Sequence, residues 1–271
     1  MTTQQIILGT ILIVALIATI YILYRSFDNR KKKRLQYALL AFQSHTNPHF
    51  IKNVLQAINW FILNNEKEKA SDYLCDFSML MEDILKFSKK NFVTLTEKLR
   101  FLDLYLKLQH LRHNDKFDYI PLNNNSGKNP TIEVDKEINP EVFLLPPLLI
   151  HPYIENAIEH GLKPKAAKGN LSIKFRYYYD NLICTIEDNG IGIKASKKLH
   201  SESKINRSSI GIINTQKRIE IIRKLYGISI IANIEELNPG SEEPGTKISL
   251  QFPMPLIFSP STGMPKEIYK G

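Results

Sequence analysis

Cysteine is nearly absent: there are two in 271 residues, Cys75 and Cys184, far apart and without metal-ligand spacing. That excludes a disulfide framework and a thiolate metal centre, and fits reduced thiols packed in a reducing compartment. Acid is also in short supply, with 27 Asp and Glu against 36 Lys and Arg, a formal net charge of +9. Such an excess invites a nucleic-acid reading, yet no aromatic-basic surface motif accompanies it. A dense basic piece, Arg30-Lys31-Lys32-Lys33-Arg34, directly follows an apolar run. That placement points to a membrane surface, and no direct nucleic-acid binding is expected. Basic side chains are missing from Met1 to Gln5, and no charge occurs from there to Arg25. A cleaved signal peptide starts basic and ends at small residues, so this pattern reads as a retained span. Global disorder is excluded by 43% hydrophobic and 23% charged residues.

The apolar run, Ile6 to Tyr24, covers about 19 residues, or roughly 28 Å as a helix, enough to cross a hydrocarbon core. Its positive flank places everything after Arg25 in the cytoplasm. Little chain is left outside, so no extracellular sensory domain is expected, and input is expected through the span from a membrane partner, or from lipid or voltage effects. From Arg30 to about Leu63 apolar residues recur at helical spacing, interrupted by Pro48 behind the capping residue Asn47. The proline either bends this helix or opens a new one. Further helical patterns span Glu68 to Ser88 and, after the box-like Thr94-Leu95-Thr96-Glu97, run to about His113. Their leucines and aromatics read as packing between helices.

Beyond the polar Asn123 to Gly127 the texture changes. Thr131 to Ile138 reads as a strand, and Pro146-Pro147 introduces a helix bearing Asn156. Leu171 to Tyr179 alternates, Asp180-Asn181 turns, and Leu182 to Glu187 returns as a hairpin. Ile193 to Ser208 reads as a polar, basic loop, Ile210 to Tyr226 as a helix stopped by Gly227. Ile228 to Glu235 and Thr246 to Phe252 are last strands, and the tail from Pro253 is expected to be loosely ordered.

Several residues carry chemistry. Asp188, with Gly190 and Gly192, puts a carboxylate and a close turn at a strand end, able to accept from the exocyclic amine of a purine; Asp-Asn-Gly also makes a plain turn. Asn156 offers an amide oxygen to a divalent cation, which needs only one or two protein ligands when phosphates and water fill the rest. Glu155 or Glu159 are candidate helpers. Gly211 at a helix start suits phosphate, with Lys194, Lys197, Lys198, Lys204 and Arg207 as counter-charges. In Asn47-Pro48-His49-Phe50 an imidazole stands at a helix irregularity, where a neutral ring is a nucleophile. His45, four residues earlier, could pair with it on a metal, but no third ligand lies nearby.

In this order, Asn-Pro-His-Phe and Pro-Pro-Leu-Leu…Glu-Asn-Ala-Ile-Glu-His-Gly resemble the sensor histidine kinases of the LytS/YehU type, whose ATP-binding half belongs to the GHKL superfamily with gyrase and MutL. The likeness covers about Leu35 to Pro253. It implies an α/β fold class: an N-terminal transmembrane helix (residues 1–29 with its flank), a helical dimerisation and phosphoacceptor region (30–118), a C-terminal Bergerat-type α/β sandwich with a mixed sheet (119–255), and a tail (256–271). It makes His49 the phosphorylated residue and Asn156 the Mg²⁺ ligand, with Glu155, His160 and Gly161 around it. Asp188, Gly190 and Gly192 face adenine, Gly211 and Asn214 form the second glycine box, and Thr246 is a last-strand contact. The implied reaction is autophosphorylation of His49 from Mg-ATP and transfer to an aspartate of a response regulator, often one with a LytTR DNA-binding domain. Expected with it are a homodimer and a single-pass place in the bacterial cytoplasmic membrane, catalytic part inside.

There are departures. Phe50-Ile51-Lys52-Asn53 stands for the family's Phe-Leu-Phe-Asn, Ser44-His45-Thr46 for Ala-Gln-Ile, and Ser209 for a glycine. Serine tolerates positive φ poorly, so weakened nucleotide affinity or lid closure is expected. Pro152 stands where water-using relatives of the superfamily carry a glutamate, which favours transfer over hydrolysis. The rival reading is a non-catalytic nucleotide-binding adaptor that relays another membrane protein's signal.

Overall fold

The structure, a computed structural model, describes residues 17–22, 24–25, 48–113, 116–123, 128–201, 207–241, 243–253, 257–258 and 265–266. Most of the apolar run 6–24, the basic piece 30–34, His45 and Asn47 lie outside these residues. The described part of the run, 17–22 and 24, is helical, with Ile17, Ile20, Tyr21, Ile22 and Tyr24 exposed. Among the described residues no helix is long and apolar enough to cross a membrane.

Three helices come first: α1 (Pro48–Leu63), α2 (Lys67–Ser88) and α3 (Leu95–Arg112). Pro48 opens α1, a position where its missing N–H costs nothing. Asn65, with φ 60°, reverses the chain between α1 and α2. Between α2 and α3 lies the two-residue strand β1 (Val93–Thr94). The box is realised at α3: the Thr94 hydroxyl accepts from Glu97 N at 3.1 Å, and Glu97 Oε2 accepts from Thr94 N at 3.0 Å. The helices close on aromatic rings, with centroids of Phe50 and Tyr105 5.7 Å apart and of Phe87 and Phe101 5.4 Å apart. Each such buried ring contributes about 1.5–3 kcal/mol by leaving water.

A mixed sheet follows. Its strands are β2 (Phe117–Asp118), β3 (Ile132–Val134), β5 (Gly169–Tyr178), β6 (Asn181–Asp188), β7 (Ile231–Glu236) and β8 (Thr246–Pro253), while β4 (Leu144–Leu145) pairs with β1. The path runs β2-β5-β6-β8-β7, with β3 also on β5; β2 and β3 are parallel to β5 and the other pairs antiparallel. One face is buried. Leu171, Ile173 and Phe175 of β5 line it, as do Leu182, Cys184 and Ile186 of β6 and Ile248, Leu250 and Phe252 of β8. Side chains alternate along a strand, so the same parity that buries Ile186 turns Asp188 inward.

The hairpin turns at Tyr179 and Asp180, both with positive φ, one residue earlier than Asp180-Asn181. The helix after Pro146-Pro147 is α4 (His151–Asn156), continued by a π-turn (Ala157–Leu162) that periodicity does not reveal. Leu148, at φ 54°, precedes it, and the Arg218 guanidinium donates to Pro147 O at 2.6 Å and Leu148 O at 2.8 Å. Two further helices are α5 (Gly192–Ser201) and α6 (Arg207–Tyr226). The polar stretch read as a loop is therefore largely helical, because Ala195, Lys197, Lys198 and Leu199 are good helix formers. Two short strands, β9 (Ile257–Phe258) and β10 (Pro265–Lys266), pair within the tail. Cys184 is buried as expected, but Cys75 is exposed. One apolar cluster runs unbroken from Phe50 in α1 to Phe252 in β8.

Candidate functional site

Asp188 ends β6 on the buried face, only 2% exposed. Burial pushes its carboxyl up to about 6, against hydrogen bonds from Gly190 N and from Thr246 that favour the anion, with Lys165 helping. The Gly190 bond is 2.8 Å, and Thr246 is its partner in the β6–β8 register. Two elements meet here with no room for a side chain. A Cβ on Gly190 would lie 2.3 Å from the Gly161 carbonyl carbon, and one on Gly161 2.7 Å from Asp188 Oδ1. Glycine at 161 therefore lets the π-turn backbone pack directly against the carboxylate. Gly192, at φ 76°, begins α5 in the left-handed region that glycine adopts without strain.

The turn after Asp188 is fastened from outside. Lys165 Nζ donates to Asn189 O at 3.0 Å and pairs with Glu243 Oε1 at 2.7 Å, while Asn189 Nδ2 donates to Glu243 Oε2 at 3.2 Å. Sequence reasoning missed Lys165 and Glu243. Their partners come from opposite ends of the sheet domain, and no local pattern announces such a pairing.

Asn156 closes α4; Ile154 of α4 and Ile158 and Leu162 of the π-turn are all fully buried. Its Nδ2 is buried without a hydrogen-bond partner, a costly state for an amide. Glu155 and His160 are half-buried to either side. The π-turn that begins at Ala157 carries Glu159, His160 and Gly161; π-turns concentrate at functional positions. Glu159 does not serve as a helper beside Asn156. It is held by Arg112, by His113 at 3.2 Å and by Lys163 at 2.8 Å.

The structure thus brings Gly161, Asp188, Gly190, Gly192 and Thr246 into one cluster, with Glu155, Asn156 and His160 on the helix that enters it. Gly211 and Asn214 lie within α6. Because α6 starts at Arg207, Gly211 is past the first four residues whose N–H groups are free. A helix-start phosphate site at Gly211 is therefore not what this conformation shows. His49 is the second residue of α1, followed one turn later by Asn53.

Comparison with known proteins bears on this arrangement. Residues 37–117 match the model of the histidine kinase family. The sensor histidine kinase YesM of Bacillus subtilis (strain 168) is 27% identical over 216 residues, which is 79% of this chain and 33% of that protein. The sensor protein LytS of Staphylococcus saprophyticus subsp. saprophyticus is 26% identical over 220 residues, 79% of this chain and 33% of its own. The chain therefore spans about a third of the length of these relatives. Among solved structures, a mycobacterial sensor histidine kinase, MprB, aligns with 60% of this chain and 97% of its own at 16% identity and a TM-score of 0.40. Its helical segment matches the histidine kinase family model, and over most of its length the chain is similar to proteins named as sensor kinases, among them LytS and YesM.

Proposed function

We propose that this chain is a membrane-anchored sensor histidine kinase that autophosphorylates His49 from Mg-ATP and passes the phosphoryl group to an aspartate of a response regulator. The observation that carries the reading is the Asp188 carboxylate, buried at a strand end, fixed by Gly190 and Thr246, and approached closely by Gly161. It is the acceptor an adenine amine requires. The orphaned amide of Asn156 fits a side chain whose oxygen is turned to a cation, and Mg²⁺ would there screen the phosphate charge. Asn214 and Thr246 complete the nucleotide's surroundings, and Gly211 joins them if α6 unwinds at its start. The His49 ring nitrogen attacks the γ-phosphorus, the bond to the β-phosphate oxygen breaks, and ADP leaves.

Residues 6–24 are the anchor and place the rest at the inner face of the bacterial membrane; their composition and basic flank support this. The helical region (30–118) is the homodimer and phosphoacceptor part, residues 119–255 the nucleotide part. Support for a dimer comes from α1 and α2, which leave Leu55, Trp60, Ile62, Leu63, Leu74 and Leu85 exposed. A regulator with a LytTR-type DNA-binding domain and a sensory membrane partner complete the proposal.

The test is incubation of the purified chain with γ-labelled ATP. Acid-labile, alkali-stable label is expected; nucleotide binding without label would instead establish the adaptor.

Asp188→Asn is expected to divide stability from function. The folded carboxyl titrates near 6, against about 3.9 when unfolded. A raised carboxyl contributes stability that is complete below the unfolded value and lost as pH rises through 6, so at pH 7 the buried anion is a cost. Asparagine removes it, and the ligand-free protein should gain roughly 1–3 kcal/mol at pH 7 and nothing at pH 4. Nucleotide affinity should fall at least about tenfold, since the amide leaves a polar contact unmatched. Urea unfolding and a nucleotide titration measure the two halves; a variant that is less stable at pH 7 would contradict the first.

A further inference from the structure

The end of α3 is joined to the turn after Asn156 by a compact group of charges. Arg112, the last residue of α3, and His113, which follows it, both reach Glu159, three residues beyond Asn156. The side chains of Arg112, His113 and Glu159 are only 10%, 7% and 12% exposed. Burial works against the Glu159 anion, but its donors His113, Lys163 and Arg112 outweigh this and hold the carboxyl far below the usual range. Arg112 is itself braced, donating to Gln109 Oε1 at 3.1 Å, while Gln109 Nε2 donates to Tyr105 at 2.8 Å.

On its other side Arg112 lines a cavity of about 380 Å³ together with Asn53, Gln56 and Trp60 of α1. Asn53 is one turn after His49. The guanidinium thus stands between the helix that carries His49 and the turn that follows Asn156. That turn is also the wall of the Asp188 site: Gly161 contacts the carboxylate, and the Ile191 N–H donates to Gly161 O at 3.1 Å. A displacement of Glu159 must move Asn156 and Gly161 with it, because all three share one short helical segment.

We propose that Arg112 and Glu159 are positioning residues for the divalent cation of the nucleotide: by pinning the π-turn to α3 they set the Asn156 amide toward the metal. The pair also ties the nucleotide site to the α1–α3 layer. This rests on the Mg-ATP reading above. Exposed ion pairs contribute little, but this one is buried, and loss of one partner leaves the other a charge without its match. Outer partners that orient a metal ligand typically account for about 10–100-fold in metal affinity.

The experiment titrates the full chain with ADP, once with Mg²⁺ and once in EDTA, for the parent, Arg112→Gln, Glu159→Gln, the double variant and Arg112→Lys. Each single glutamine variant should weaken Mg-ADP about tenfold and leave metal-free ADP within about twofold. The double variant should be no worse than either single one, the non-additivity expected of two residues acting through each other. Arg112→Lys, which keeps the charge but not the fork, should recover part of the loss, and it serves if the glutamine variants fail to fold. Equal weakening with and without Mg²⁺, additive losses, or unchanged affinities would overturn the positioning role. A parent that binds no ADP at all would instead sink the nucleotide reading beneath it.

Discussion

A chain carrying His49→Gln is expected to bind ATP as the parent does and to acquire no acid-labile label. Glutamine matches imidazole in polarity but has no nucleophilic nitrogen, so the loss should be complete, not partial. The structure narrows the alternatives. The chain has seven histidines. His151 is half-buried, its ring meeting those of Phe101 and Tyr105 edge-on, and desolvation drives its pKa down to about 3. His113 is engaged with Glu159, and His110 Nδ1 lies 3.0 Å from Phe117 O. His160 sits in the π-turn, next to Gly161. His49 is the second residue of α1. His45→Gln and His200→Gln are the controls, each expected to retain label. Retained label in His49→Gln, with loss in His45→Gln, would move the acceptor one turn upstream and refute the assignment.

The second large effect concerns stability. Lys98→Met should raise the unfolding free energy at pH 7 by roughly 2–4 kcal/mol. Lys98 lies on the core face of α3 between Leu95 and Leu102; it is fully buried and its Nζ has no hydrogen-bond partner. Its ammonium stands 5.4 Å and 5.5 Å from the centroids of Phe87 and Phe101. Burial lowers its pKa to about 7, and the Arg218 guanidinium adds repulsion. The groups facing it are His151 on α4, Arg218 on α6 and the neutral thiol of Cys184 on β6, so no acid offsets the charge. A lysine whose folded pKa lies below its unfolded value, about 10.4, binds fewer protons when folded across that interval. Stability therefore rises with pH between about 7 and 10 and is lowest below 7. The gap between Lys98→Met and the parent should be widest at pH 7 and shrink by pH 9. Urea midpoints at those two pH values check it; a methionine variant that is less stable, or a gap that ignores pH, would show that the amine is satisfied in a way the geometry does not reveal. Lys98→Arg, which cannot shed its proton, should destabilise.

Much of this was legible because it is local. The capping box at Thr94 and Glu97 involves neighbours on the chain, and the hairpin of β5 and β6 declares itself by alternation. Asp188, Gly190 and Asn156 stand out because a strand end and a helix carried them in a recognisable order. What escaped depends on residues distant in sequence. The pinning of Glu159 joins positions 47 apart, and the Lys165–Glu243 pair joins two loops. The extra residue in the π-turn leaves no mark in a 3.6-residue period. Lys98 reads as a solvated helix residue until its neighbours are seen. The stretch Ile193 to Ser208 reads as a loop for a different reason: it is polar and basic with few apolar anchors, although lysine is a good helix former and Gly192–Ser201 is helical.

The unbroken cluster from Phe50 to Phe252 has a practical bearing on engineering. A chimaera cut near residue 118 would bare Phe87, Phe101 and Leu102 on one fragment and Leu145, Leu149 and Tyr153 on the other. Sensor swaps should therefore be spliced upstream of Pro48, where the graft inherits both faces already mated.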